Sequence, residues 1–170
     1  MTMPAESSEG VRDQGTLDQT IPVLVRQASA RDVHDLLHLY RQLAGDRVSA
    51  LPADVGAAKA LLAAIVEQPG RQLLVAEVDR QVLGTADVLI VPNLTHGGAP
   101  WAIIENVVVD SACRRRGVGT ALIDEIARRC SDARCYKMQL LSNKQRTQAH
   151  DFYRSVGFEA VAEGFRRFLP

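Results

Sequence analysis

The chain has 170 residues, 46% of them apolar, which is the size of one domain with material for a substantial core. Twenty basic and twenty acidic side chains cancel, so no global field draws in nucleic acid or an anionic membrane, and neither is expected as a partner. Three cysteines, odd in number and without C-x-x-C spacing, argue against a disulfide framework or a zinc site and make a reducing cytoplasm the expected compartment.

Residues 1–20 are polar and lack the apolar core of a signal peptide, so they are expected to form a mobile leader before a single domain over 21–170. No stretch reaches the ~20 apolar residues of a membrane span. Pro22 to Gln27 reads as a first strand. Ser29 is placed as an N-cap with Asp32 three residues on, and Val33, Leu36, Leu37, Tyr40 and Leu43 then share one face of a helix. His34 and His38 lie four apart on it and could share a metal. No Glu follows His34 and no third ligand is evident, so a structural or surface role is expected, and no metal.

A second helix runs from about Asp54 to Glu67 and is closed by Pro69-Gly70. Leu73 to Val78 and Val82 to Val91 form a hairpin about Asp79-Arg80-Gln81. The glycine-containing loop from Asn93 to Pro100 either lines a substrate mouth or is an ordinary connection. A strand from Trp101 to Val109 follows.

Its end, Val107-Val108-Val109, passes through a short polar connection into Arg114-Arg115-Arg116-Gly117-Val118-Gly119 and an amphipathic helix to about Cys130. Strand, arginine–glycine turn and helix start together build an anion site. The first turn of a helix has N–H groups without partners and a positive dipole, and glycines let a polyanion approach the backbone. Cations are disfavoured at that end of a helix, so three arginines there point to an anionic ligand. A dinucleotide fingerprint would need glycine where Leu122 stands, and no Gly-Lys-Ser/Thr triplet occurs. Cys113 lies beside the arginines but has no nearby histidine and is read as a small apolar residue.

Tyr136 to Leu141 reads as a buried strand, Gln145 to Val156 as the last helix, ended by Gly157, and Phe158–Ala162 and Phe165–Leu169 as short strands. That order gives a mixed sheet with helices on both faces.

Arg114-x-x-Gly117-x-Gly119, with Thr120 next, resembles the pyrophosphate signature of the GNAT N-acetyltransferases. Asn143 followed by Ala149-His150-Asp151-Phe152-Tyr153-Arg154-Ser155-Val156-Gly157-Phe158 is similar to that family's C-terminal signature, and the motifs together span about Ile104 to Phe158. The resemblance implies an α/β fold with a mostly antiparallel central sheet in which two parallel central strands, Trp101–Val109 and Tyr136–Leu141, splay apart. Acetyl-CoA would enter the gap, its pantetheine pairing with the backbone near Val107, Val108 and Val109. Its pyrophosphate would meet the amides of Arg115, Arg116, Gly117, Val118, Gly119 and Thr120, with the arginine side chains adding charge. Asn143 would hold the pantetheine or acetyl end.

Tyr153 matches the family's acid for the departing thiolate, and its packing neighbour Phe152 would face inward. Glu105, two residues before Val107 and so expected on the same strand face, would take the amine's proton or else orient the substrate. The implied activity is acetyl transfer to a primary amine, by preference that of a small molecule, by direct attack in a ternary complex. Peptide or protein N-acetylation and a non-catalytic acyl-CoA-binding module are the alternatives, and a homodimer stays open.

Overall fold

The computed structural model describes residues 22–45, 51–52 and 54–169; the expected leader lies outside them. Asp79 and Arg80 both take the left-handed conformation, with φ of 50° and 67°. That handedness lets β2 (Arg71–Val78) turn straight back into β3 (Gln81–Val91). β1 (Leu24–Gln27) pairs with β2 and β4 (Trp101–Val109) with β3, all antiparallel. β5 (Met138–Leu140) lies parallel to β4, and the order is β1-β2-β3-β4-β5.

α1 (Val33–Ala44) and α2 (Val55–Glu67) cover one face of this sheet, and α3 (Val118–Asp132) covers the other. α4 (Thr147–Ser155) follows β5. Beneath α1 and α2, Val33, Leu36, Leu39 and Leu62 meet Leu73, Val75, Val82 and Val108. Beneath α3, Leu122, Ile123 and Ile126 meet Leu74, Val88 and Ile104. Neighbours such as Leu74 and Val75 are both fully buried, which is why the strands read as unbroken apolar runs. No helix among the described residues is long and apolar enough to cross a membrane.

The caps fall where the side chains dictate. The Asp32 carboxylate accepts the Ser29 N–H at 2.7 Å and the Ser29 hydroxyl at 3.0 Å, and Arg26 on β1 grips it through two bonds of 2.8 Å. Arg26 also donates to Glu77 on β2 at 2.9 Å, so the cap of α1 is tied into the sheet. Asp54 caps α2 by accepting the Ala57 N–H at 2.8 Å.

The end of the chain departs from expectation. β5 has three residues rather than six, and Tyr136 is exposed, stacked on His96 from the Asn93–Pro100 loop with ring centroids 3.9 Å apart. Phe158–Ala162 and Phe165–Leu169 form no strand; Val161, Phe165, Phe168 and Leu169 stay exposed. A strand forms only where a neighbour offers backbone groups, and three residues of β5 offer few. The parallel pair therefore ends the sheet instead of lying at its centre.

Candidate active site

β4 and β5 share only three parallel pairs, Ala102 with Met138, Ile103 with Gln139 and Ile104 with Leu140. β4 continues for five residues, Glu105 to Val109, with no β5 partner beside it. At the point of divergence β4 also carries a bulge. Asp87 pairs with Glu105 and Thr85 with Val108, so two residues of β4, Asn106 and Val107, stand opposite Ala86. Asn106 has φ 54°, a left-handed conformation that asparagine tolerates better than most residues.

The extra residue reverses the faces of the strand. Ile104 lies in the α3 core, yet Val108 lies in the α1–α2 core, while Val107 and Val109 pack towards α3. Simple alternation, which puts Glu105 and Val107 on one face, is therefore overturned. Glu105 points to the α1–α2 side with Asp87 and Val108, and Val107 points away.

β4 leads into the α3 turn, where Arg115 (φ 62°) and Gly117 (φ 82°) take left-handed conformations. The first bond of the helix runs from Ala121 N–H to Gly117 O at 2.9 Å, so the amides of Val118, Gly119 and Thr120 precede any partner within the helix. Arg114, Arg115 and Arg116 are exposed, and none pairs with a carboxylate among the described residues. Thr120 is exposed beside them, and Val118 is buried in the core. Gly119 has a second reason to be glycine. A Cβ there would stand 3.1 Å from the Phe152 ring and 3.6 Å from Val109. The turn, the end of β4 and α4 are thus packed on one another.

α4 brings Tyr153 to the same cleft. Its ring is half-buried, tilted on Phe152 at 5.3 Å and edge-on to Phe158 at 5.8 Å. Burial pushes its phenol above the ordinary value; Arg146 works against that shift, and the charge of Glu105 adds to it. Tyr153 and Glu105 therefore lie close enough to sense one another. Asn143 is exposed in the connection between β5 and α4. Its Oδ1 accepts the Gln145 N–H at 2.9 Å and its carbonyl meets His150 Nε2 at 3.0 Å, which leaves the side-chain NH2 free to donate. Next to it, Ser142 Oγ is buried without a partner. A buried orphan hydroxyl just past β5 is a polar demand that a ligand in the gap would meet.

Sequence reasoning missed the polar group on the α1–α2 face. Asp87, 6% exposed, takes the Arg71 guanidinium through Nε at 3.0 and 3.2 Å and through Nη2. Tyr40 of α1 lies near enough to feel both charges, its phenol pushed up to about 12, chiefly by burial. One signal was available: a lone acid inside the apolar strand QVLGTADVLIV must find a partner. His38, weighed above as a metal ligand, instead lies with its Nε2 3.0 Å from Asp110 Oδ2. Gln42 donates to the same oxygen at 3.0 Å and accepts the Ser111 N–H at 2.8 Å, tying α1 to the connection between β4 and α3. The Ala112 N–H, above all, holds the Asp110 carboxyl below the ordinary range. Cys113 lies against the α3 core with Arg116 Nη1 3.9 Å from its Sγ, and burial pushes the Cys130 thiol to about 11, away from the reactive thiolate.

The acetyltransferase (GNAT) family model matches residues 33–158. The chain belongs to that family. It is 36% identical over 80 residues to the glucosamine 6-phosphate N-acetyltransferase of Trypanosoma brucei brucei, a match that covers 47% of this chain and 52%, about half, of that protein. A presumed acetyltransferase from Agrobacterium tumefaciens str. C58 superposes with a TM-score of 0.79 at 36% identity, covering 86% of this chain and 99% of that one. A transcriptional regulator from Bacillus halodurans C-125 gives a TM-score of 0.79 at 29% identity, over 87% of this chain and 100% of its own.

Proposed function

We propose that this protein is an N-acetyltransferase that moves the acetyl group of acetyl-CoA to the primary amine of a small molecule, by direct attack in a ternary complex. The observation that carries this reading is the open run Glu105–Val109 of β4, which leads directly to the unpartnered first-turn amides of α3. Pantetheine carries amides that suit a bare strand edge, and a pyrophosphate suits the N–H groups and three free guanidiniums at the turn. Asn143 and the orphan hydroxyl of Ser142 supply polar contacts at the far side of the gap.

The amine nitrogen attacks the thioester carbonyl carbon, and Glu105 takes the proton it sheds, directly or through water. As the carbon–sulfur bond breaks, the Tyr153 O–H gives its proton to the sulfur. Amide and CoA thiol leave, and solvent takes the proton from Glu105 and returns one to Tyr153. A phenol pushed upward by burial stays protonated at neutral pH, which suits an acid and not a base. A small acceptor is favoured because the curated relative is named for an amino-sugar phosphate.

The test is thiol release from acetyl-CoA over amino sugars, their phosphates, amino acids, polyamines, aminoglycosides and short peptides. Release with a small amine, in intersecting double-reciprocal plots, is the expected result. Release with peptide amino groups alone would make it a protein acetyltransferase. Tight acetyl-CoA binding without transfer to any amine would make it a binding module.

A further inference from the structure

The sheet face under α1 and α2 carries a like-charge contact. Asp87 on β3 stands directly opposite Glu105 on β4, and side chains so placed have Cβ atoms roughly 5 Å apart. Carboxylates at that spacing repel unless a cation intervenes. Arg71 is the only Lys or Arg in β2, β3 and β4. It projects from the position opposite Leu89, two residues along the ladder from the partner of Asp87.

Two carboxylates therefore compete for one guanidinium. Asp87 holds it, through Nε and Nη2, while no described residue pairs with Glu105. The outcome follows from burial. Asp87 is almost wholly enclosed and has little water to turn to, so it takes the guanidinium, whereas Glu105 is exposed and can stay hydrated. Tyr40 on α1 feels the charges of both Asp87 and Arg71. Among the described residues, the charged or titratable groups on the elements about Glu105 include Asp87 from β3, Arg71 from β2 behind it, Tyr40 from α1, Tyr153 from α4 and, acting on Tyr153 from the segment before α4, Arg146.

We propose that Asp87 is a positioning residue for acetyl transfer: by occupying Arg71 it keeps the sheet's one nearby cation off Glu105, leaving that carboxylate unpaired and turned to the acceptor. This rests on Glu105 receiving the acceptor's proton. A carboxylate locked to a guanidinium is a poor proton acceptor, because the charge pair favours its ionised form. Asp87 touches neither substrate nor cofactor; it acts by what it withholds.

The experiment compares wild type, Asp87→Asn and the double variant Arg71→Gln/Asp87→Asn, each first shown to be folded by its thermal transition. In Asp87→Asn the guanidinium is released towards Glu105. Its kcat/KM with the best amine should fall ~10²-fold, as for loss of a general base, and the acid limb of the profile should move to lower pH. The double variant has no cation to release, so it should regain most of the activity and the wild-type limb. Near wild-type kcat/KM in Asp87→Asn, or equal loss in the single and double variants, would overturn the proposal. A crystal structure of Asp87→Asn reads the same point without turnover. Arg71 should contact Glu105, and an Arg71 that stays away from it contradicts the proposal whatever the activity. If wild type acetylates no amine, the proposed function fails, and the crystal structure alone still decides whether Asp87 restrains Arg71.

Discussion

The turn that opens α3 and the sheet face beneath α1 lie beyond the two ends of the unpaired run Glu105–Val109 of β4 and are built from different materials. The turn is backbone: consecutive residues, two left-handed conformations and amides that precede the helix's own bonds. The face is side chains: Tyr40, Arg71, Asp87 and Glu105 come from four elements, brought together by sheet register and by the packing of α1 on the sheet. A site made of contiguous backbone tolerates changes in its side chains and resists acid. A site made of charges depends on each partner and on pH. On the proposed function, the difference separates the cofactor's end from the end where an acceptor must be told apart from other amines.

The largest expected effect lies where the two ends meet. Tyr153→Phe keeps the ring and its contacts with Phe152 and Phe158 but removes the proton for the thiolate. Turnover should drop ~10²-fold with acetyl-CoA affinity unchanged, measured by steady-state rates and calorimetric titration. Turnover at the wild-type rate, with chemistry rate-limiting, would reduce Tyr153 to a packing residue.

The cap that holds α1 to the sheet beside that face can be broken by acid. Burial alone would raise the Asp32 carboxyl, yet the bonds from Arg26 and Ser29 hold it below the ordinary range. A carboxyl lowered in the folded state stabilises fully above its unfolded pKa of ~3.9, and that contribution is lost as pH falls through the folded value. Asp32→Asn should cost ~2 kcal/mol in urea unfolding at pH 7, in line with bonds to charged groups. The gap to wild type should close as pH falls below ~4. A gap that persists unchanged in acid would show that the carboxylate's charge is not what anchors α1.

The backbone end can be sharpened by Thr120→Glu. An acid in the first turn favours the helix dipole, so thermal stability should hold or rise. The same charge opposes a pyrophosphate, so acetyl-CoA affinity should fall about tenfold, ~1.4 kcal/mol. Unchanged affinity by titration would move the pyrophosphate elsewhere. Gly119 is a poorer probe, because a side chain there meets Phe152 as well as any ligand. The smallest effect belongs to Cys113→Ala, which should retain most activity and form no acetylated enzyme by mass spectrometry; a trapped acetyl-cysteine would replace direct attack with a covalent route.

What the sequence discloses follows the same division. The hairpin at Asp79-Arg80, the caps at Ser29 and Asp54 and the turn at Gly117 are local, so spacing and residue type suffice. The bulge is not legible, because nothing around Asn106 requires its left-handed backbone, and missing it puts Glu105 and Val107 on one face. The Arg71–Asp87 pair needs the register of β2 and β3, although the lone acid in an apolar strand announces that some partner exists. Phe158–Ala162 and Phe165–Leu169 fail for the converse reason: their patterns suit strands, but a pattern cannot supply an edge to pair with.

The most direct measurement is a crystal structure with acetyl-CoA bound. The pantetheine amides should bond to the backbone of Val107 to Val109, the pyrophosphate should lie on the amides of Gly117 to Thr120, and the thioester sulfur should come within reach of the Tyr153 hydroxyl. A cofactor seated outside the gap between β4 and β5, or a sulfur remote from Tyr153, would contradict the account at its centre.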